Sequence, residues 1–150
     1  MVHNFRNAMV LPRDINDVFW FFSDAANLER ITPPALCFHI ITPTPIRMGE
    51  GTIIDYRLQL YGMPFTWTAR IGRWDPPLQF IDEQIRGPYR LWVHTHRFLD
   101  LGGATRVTDE VLYELPLWPL GEALFPVIHY LLVRIFRFRR RTIGNIFNRE

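Results

Sequence analysis

The pattern of apolar and polar positions changes character twice along this chain, and the changes divide it into three parts. The first residues alternate loosely and end in Val10-Leu11-Pro12, which predicts an edge strand stopped by proline. Asp14, with Asp17 three positions on, is placed to N-cap a short helix through Val18-Phe19-Trp20-Phe21-Phe22. Ser23 or Asp24 starts a second short helix through Leu28, closed before Thr32-Pro33-Pro34. From Cys37 to Leu115 the period is two, with strands predicted over 36–43, 52–60, 65–74, 79–86, 90–100 and 104–115. Turn residues separate them at Pro43–Gly51, Tyr61-Gly62-Met63-Pro64, Asp75-Pro76-Pro77, Gly87-Pro88 and Leu101-Gly102-Gly103, as in an antiparallel meander.

After Pro116 and Pro119 the period lengthens to 3.6. Ile128, Leu131, Leu132, Ile135, Phe138 and Ile146 fall on one stripe, and Arg134, Arg137 and Arg141 on another. This predicts a long amphipathic helix starting or kinking at Pro126. Its apolar stripe needs a large surface to cover it, and only one face of the sheet offers that. The expected architecture is α+β: a curved antiparallel sheet gripping a long C-terminal helix, in the order β-α-α-β6-α, as one domain over residues 1–150.

Composition narrows the class of protein. A chain of 150 residues can bury a core without disulfides or metals. Its 12 Phe, 5 Trp and 5 Tyr can fill such a core or line an apolar pocket for flat or lipid-like ligands. The single cysteine, Cys37, excludes an internal disulfide and a Cys-cluster zinc site. No charged n-region followed by an apolar run opens the chain, and the apolar stretch 123–133 is too short and interrupted to span a bilayer. No transmembrane segment is expected, and the cytoplasm is the expected location. All 17 basic residues are arginine, which removes lysine Schiff-base and pyridoxal-phosphate chemistry, and no cofactor is called for. The net charge of +2 comes largely from one C-terminal cluster and calls for no nucleic-acid partner. Its arginines (134, 137, 139, 140 and 141) read as the wet face of the helix, although Arg139 cannot share a face with Arg137 and Arg141; the alternative is an interaction module that docks an acidic partner or an associated reductase through this helix.

The candidate chemistry lies in Trp92-Val93-His94-Thr95-His96-Arg97-Phe98. Strand alternation puts Trp92, His94, His96 and Phe98 on one face. Pairing around Gly102-Gly103 sets His96 opposite Asp109, with Trp92, His94 and Phe98 opposite Tyr113, Val111 and Val107. A slip of two residues would bring His94 to Asp109 instead, because only even slips keep the same faces together. Either way an acid–histidine pair lies on an aromatic face. Three readings of His94, His96 and Asp109 stay open: a structural network, a cluster that orients a ligand, or acid–base catalysis with His96 moving the proton. Two histidines on one strand could also meet a metal with Asp82 or Asp109, but without an assured third ligand no metal site is assigned. Trp67 and Tyr56, on the apolar sides of their strands, are candidates for a pocket wall.

Several segments carry a resemblance that spans essentially the whole chain: Leu11-Pro12 to Val18-Phe19, Asn27-Leu28-Glu29-Arg30-Ile31-Thr32-Pro33-Pro34, Phe80-Ile81-Asp82-Glu83-Gln84 with Gly87-Pro88-Tyr89, Trp92-x-His94-x-His96-x-Phe98 and Thr105-Arg106-Val107-Thr108-Asp109. The element order resembles the START-like, or SRPBCC, superfamily of helix-grip proteins, which includes the plant pollen-allergen (Bet v 1-like) fold and polyketide cyclases. It is most similar to the bacterial polyketide cyclase/dehydrase-type proteins. In that subgroup the last helix often carries Phe-x-Tyr-Arg-His; here the stretch is Phe136-Arg137-Phe138-Arg139-Arg140, without the tyrosine hydroxyl and the histidine. The resemblance implies a hollow between sheet and helix that takes a small hydrophobic molecule. Ligand-binding positions would be Trp92, Phe98, Trp67, Tyr56, Tyr113 and Asp82 on the sheet and Leu131 and Ile135 on the helix. It implies no particular reaction, a cyclase or dehydratase step among them. Because similar domains occur fused to a short-chain-dehydrogenase-like epimerase, a protein of that type is the protein partner it points to. Whether Asp82 or Glu83 joins the histidine face depends on the Gly87-Pro88 turn. Apolar count favours the register that brings in Ile81, Glu83 and Ile85, and the family pattern favours Phe80, Asp82 and Gln84. Asp82 is the residue expected.

Overall fold

The loosely alternating start is strand β1 (Val2–Leu11) in the computed structural model, which describes residues 1–148. Asp14 caps α1 (Ile15–Ser23), its carboxylate accepting from the Asn16 amide at 2.8 Å. Asp24 then accepts from the Ala26 amide at 3.0 Å and leads into the single turn α2 (Asn27–Arg30). Five long strands follow the two-residue strand β2 (His39–Ile40): β3 (Ile53–Leu60), β4 (Met63–Asp75), β5 (Gln79–Arg86), β6 (Leu91–Asp100) and β7 (Thr105–Glu114). All seven form one antiparallel sheet in the order β1-β7-β6-β5-β4-β3-β2. Helix α3 (Phe125–Asn148) lies across one face, with Pro126 in its first turn, where a missing amide hydrogen costs no helical bond. This is the α+β helix-grip architecture.

Two predicted elements differ. The strand expected over 36–43 shrinks to His39–Ile40, because Pro34–Leu36 close a 3₁₀ turn and Cys37 stands at φ 45°. That left-handed conformation cannot continue a pleated strand. The β3–β4 connection is tighter than expected: Tyr61 (φ 51°) and Gly62 (φ 79°) form a two-residue turn, so β4 begins at Met63 rather than Phe65.

The buried residues fall into three clusters on the inner face. At one end α1 and the last turns of α3 close the sheet: Val18, Phe19, Phe98, Val107 and Ile143 are all buried there. A second cluster surrounds Ile54, Tyr56 and Ala69, and a third joins Val111, Tyr113 and Leu115 to Leu132 and Phe136 of α3. The stripe that α3 buries is therefore Leu132, Phe136, Ile143 and Phe147, rotated from the one expected. Phe138 and Ile146 are only half-buried. Arg139 follows Phe136 by three residues and precedes Ile143 by four, so it falls on this inner stripe. It is not part of the wet face, which holds Arg134, Arg137, Arg140 and Arg141, all exposed.

Candidate functional site

The three clusters do not merge into one core, although Leu28 and Met48 pack against the first two. Between them lies a cavity of about 730 Å³, walled by β3–β6 on one side and α3 on the other. Its lining is overwhelmingly apolar. Trp67 and Trp92 meet edge to face at 5.2 Å on the sheet side, and Ile128, Leu131, Leu132, Ile135 and Phe136 line the helix side. The mouth lies between the β3–β4 hairpin tip and residues 117–124. There Tyr61, Met63, Leu117, Leu120 and Leu124 are exposed and also border the cavity. Gly121 keeps the second segment folded in, since a Cβ there would run into the Pro116 carbonyl oxygen. The period-two and period-3.6 patterns both stop across these residues, so the sequence showed only a turn where the structure has a rim.

On the sheet side, carboxylate and imidazole side chains enter the cavity at one place, on β5 and β6. The β6–β7 register is centred on Gly102-Gly103: His96 pairs with Asp109, His94 with Val111, Trp92 with Tyr113 and Phe98 with Val107. The β5–β6 register sets Asp82 opposite His94 and Phe80 opposite His96, which places Asp82 on the histidine face. Glu83 points the other way and pairs with Arg70 at 2.6 Å. The side chain of Gln84 holds this turn by bonding the Tyr89 backbone twice: its amide donates to the carbonyl at 2.7 Å and its oxygen accepts from the amide at 3.1 Å.

The result is a quartet of two acids and two imidazoles, where the sequence placed one firm acid. His94 Nε2 donates to Asp109 Oδ1 at 2.8 Å, and His96 Nε2 donates to Asp82 Oδ2 at 2.6 Å. The pair that faces across the strands, His96 and Asp109, is the looser one: Nδ1 lies 3.3 Å from Oδ1, out of hydrogen-bonding alignment. The two rings stack with centroids 3.7 Å apart, and Phe80 stacks on the far side of His96 at 4.1 Å. Asp109 is sealed behind the histidines, with 4% of its side chain accessible. Asp82 keeps 24%, and that surface faces the cavity.

Burial alone would strip His96 of its proton, but Asp109 and Asp82 on either side outweigh it and push the imidazole up to about 9. His94 moves the opposite way, lowered by burial and by the charge on His96. Burial also opposes ionisation of the two acids, yet the imidazoles hold both Asp82 and Asp109 below the usual carboxylate range. At neutral pH the quartet therefore carries two carboxylates, one imidazolium and one neutral imidazole. Opposite it, Arg139 lines the cavity from α3; burial lowers its guanidinium from the usual value while Asp109 and Asp82 raise it, and it stays charged.

Among the residues singled out from sequence, Trp67, Trp92, Tyr56, Asp82, His94, His96, Leu131 and Ile135 all border the cavity. Phe98 and Tyr113 do not. Phe98 lies one pleat too far along β6 and packs on Phe19 at 5.2 Å and Phe22 at 5.6 Å. Tyr113 is fully buried behind Trp92 and Tyr89. The residue that sequence reasoning missed is Arg139. Including Phe136 and Phe147 in the helix stripe would have placed it inward. Asp82, His94 and His96 also bring ligand atoms within 4.8 Å of one another, a donor set for a divalent transition metal. Both Nε2 atoms are engaged by carboxylates, and an imidazolium and a guanidinium already supply the positive charge, so the residues fit a proton-holding network better than an ion.

A sheet gripping a helix around an apolar hollow defines the class, that of the START-like helix-grip proteins. Residues 11–134 match the family of polyketide cyclases/dehydrases and lipid-transport proteins, and the chain belongs to that family. It superposes on TTHA0849 of Thermus thermophilus with a TM-score of 0.76 at 18% identity, covering 95% of each chain. The Zhui aromatase/cyclase of Streptomyces sp. R1128 gives a TM-score of 0.79 at 13% identity, over 99% of this chain and 95% of that one. Ginseng major latex-like protein 151 gives 0.64 at 14%, over 97% of both. At such identities the likeness is one of fold. A search of curated proteins gives no match. Among the described residues no helix is long and apolar enough to cross a membrane.

Proposed function

We propose that this protein binds a small hydrophobic or aromatic molecule in the cavity between the sheet and α3. The observation that carries the reading is the cavity itself: about 730 Å³ walled by tryptophan, phenylalanine, leucine and isoleucine, with few charged groups, Asp82 and the histidines on the sheet and Arg139 facing them. Interiors are normally packed with few voids larger than a water, and a hollow of this size costs dispersion contacts that a ligand would restore. Apolar walls supply affinity, and a few convergent polar groups fix orientation. The family and the superposed aromatase/cyclase support this use of the fold. A thermal-shift screen with apolar lipids and polyphenols tests it. A ligand at about 100 times its Kd adds roughly 2.7 kcal/mol to the folded state. Absence of any shift across the screen, with Leu132→Trp filling the cavity and leaving the melting temperature unchanged in the same mixtures, would sink the reading.

A second reading rests on the same quartet. His96 holds a proton at the cavity wall between two carboxylates, the arrangement of a general acid for a cyclase or dehydratase step on a carbonyl compound. In this reading His96 donates, Asp82 and Asp109 hold the ring, and His94 is a neutral neighbour able to accept. His96→Gln should then abolish turnover of a polyketide-like substrate while preserving its binding. Equal turnover by the variant would leave the quartet an orienting device only.

A further inference from the structure

The quartet's hydrogen bonds are matched within it, and the charged group lining the cavity outside it is Arg139. Each imidazole donates to a carboxylate, and each carboxylate accepts from an imidazole. Arg139 has no such partner. Among the described residues no carboxylate lies within 4.0 Å of its guanidinium nitrogens. Its one hydrogen bond is a long contact from Nε to the Ile31 carbonyl at 3.5 Å, and its guanidinium carbon stands 5.2 Å from the centre of the Phe136 ring. A guanidinium keeps its charge and presents five N–H donors in a planar fork. Holding it on the buried stripe of a helix, against an apolar hollow, carries a desolvation cost that an alanine or leucine at the same position would avoid. The cost is offset when an acceptor with two oxygens sits on the fork, because charge-assisted bidentate bonds are the strongest such a group makes.

We propose that Arg139 is the anion-binding group of this cavity and that the ligand is an apolar acid. Its hydrocarbon or aromatic body would lie along Trp67, Trp92 and Leu132, and its carboxylate would sit on the guanidinium. The proposal rests on the reading of the cavity as a ligand site and names the ligand's class. Charge count favours a monoanion. Asp82 and Asp109 on one side, and His96 with Arg139 on the other, cancel before the ligand arrives, so the ligand's own charge is the excess, and a single negative charge seated on the nearest cation keeps that excess smallest. A dianion such as a phosphate monoester would bring twice that excess into an apolar chamber. Asp82 accepts from His96 and faces the same space, which sets the acid's oxygens toward α3 and away from β5.

Trp67 and Trp92 border the cavity, so tryptophan fluorescence reports occupancy directly. The probes are decanoic acid and decanamide, equal in length and shape and different in charge, titrated into the full chain at neutral pH. The acid is expected to bind at least roughly tenfold more tightly, the equivalent of about 1.4 kcal/mol and within the range of one hydrogen bond to a charged group. Arg139→Gln should erase that preference, so that the variant binds the acid and decanamide within about twofold of each other. Arg139→Lys should keep part of it, because the charge remains and the fork is lost. Equal affinity of the wild-type protein for the two probes overturns the proposal and leaves the cavity reading standing, and so does an Arg139→Gln variant that weakens both alike. If neither probe binds, both fall together. The wild-type comparison decides even if Arg139→Gln proves unable to fold.

Discussion

One face of one sheet behaves in two ways in this protein. At the end covered by α1 and the last turns of α3, Phe19, Phe22, Phe80 and Phe98 interlock edge to face in a packed core, of which Phe22 and Phe80 also border the cavity. At the other end the same strands present Trp67 and Trp92, the same helix presents Leu131, Leu132 and Ile135, and a chamber of about 730 Å³ separates them. The aromatic content does not distinguish the two. What differs is how closely the covering elements approach the sheet: α1 packs its rings directly onto the strands at the closed end, while at the other end Phe22, Leu28 and α3 stand back from the sheet around the cavity. β6 crosses from one regime to the other within ten residues, with Phe98 in the core, Trp92 on the cavity wall and the two histidines at the boundary. The quartet thus sits where a rigid wall meets an open space, which is where a polar group can be held firmly and still reach a ligand.

The sharpest way to break this contrast is to cut the same chemistry from both ends. Phe19→Ala, at 0% exposure and surrounded by aromatic rings, should cost about 3–5 kcal/mol in urea unfolding, because its neighbours cannot collapse into the gap. Leu131→Ala, on a wall that already borders space, should cost less than about 1.5 kcal/mol, since little new void is made. Equal losses would mean that the hollow end is packed in solution.

The boundary should respond next. Asp109→Asn removes the carboxylate that His94 Nε2 donates to and that helps hold the proton on His96, and it should destabilise by roughly 3 kcal/mol, the cost of leaving a buried charge without its partner. Asp82→Asn should cost less, because its surface is open to the cavity and water can replace part of what is lost. Reversal of that order would place the rigid side of the quartet at β5 and not at β7.

Stability against pH tests the same boundary with the chain intact. His96 has a raised pKa in the folded state, so its contribution is complete below the unfolded value of about 6.5 and is lost as pH rises toward about 9. His94 is lowered, so between its folded pKa and about 6.5 the unfolded chain binds the extra proton and stability falls as pH drops. Asp82 and Asp109 are lowered as well, and their contribution is lost on acidification below about 3.9. Unfolding free energy should therefore peak near pH about 6.5 and fall by on the order of 2 kcal/mol by about pH 9. His96→Gln should flatten the alkaline arm and keep the acid arm. An unchanged alkaline arm in that variant would remove His96 as its source.

Much of this arrangement was legible because strands leave few choices. Once Gly102-Gly103 set the turn, every residue of β6 and β7 had a partner, and His96 had to lie opposite Asp109. The choice between Asp82 and Glu83 was harder, since one residue of shift at Gly87-Pro88 would exchange the faces, and it is the Gln84 side chain bonding Tyr89 that holds the even register. Which histidine takes which acid was not legible, because Cα pairing does not dictate ring torsions: the short bonds run from His94 to Asp109 and from His96 to Asp82. Arg139 escaped because a helix with apolar residues on more than half its circumference admits two stripes, and only contact with the sheet selects Leu132, Phe136, Ile143 and Phe147. The size of the hollow depends on how far α1, α2 and α3 stand from the sheet, and no periodicity records that.

The smallest effect belongs to a residue that sequence placed on the cavity wall and the structure places behind it. Tyr113 is fully buried, and among the described residues its hydroxyl has no hydrogen-bond partner. The ring is held by His3, Tyr89 and Trp92, at centroid distances of 5.3, 5.9 and 6.4 Å, and none of these contacts involves the oxygen. A buried polar group without a partner carries its desolvation cost uncompensated, and removing it with the ring left in place recovers part of that cost. Tyr113→Phe should therefore be neutral or more stable by up to about 1 kcal/mol, with decanoic acid affinity unchanged. Because Tyr113 backs Trp92, a loss of affinity in this variant would show that the hydroxyl reaches the cavity and that the hollow end extends one layer deeper into the sheet than the wall formed by Trp67 and Trp92.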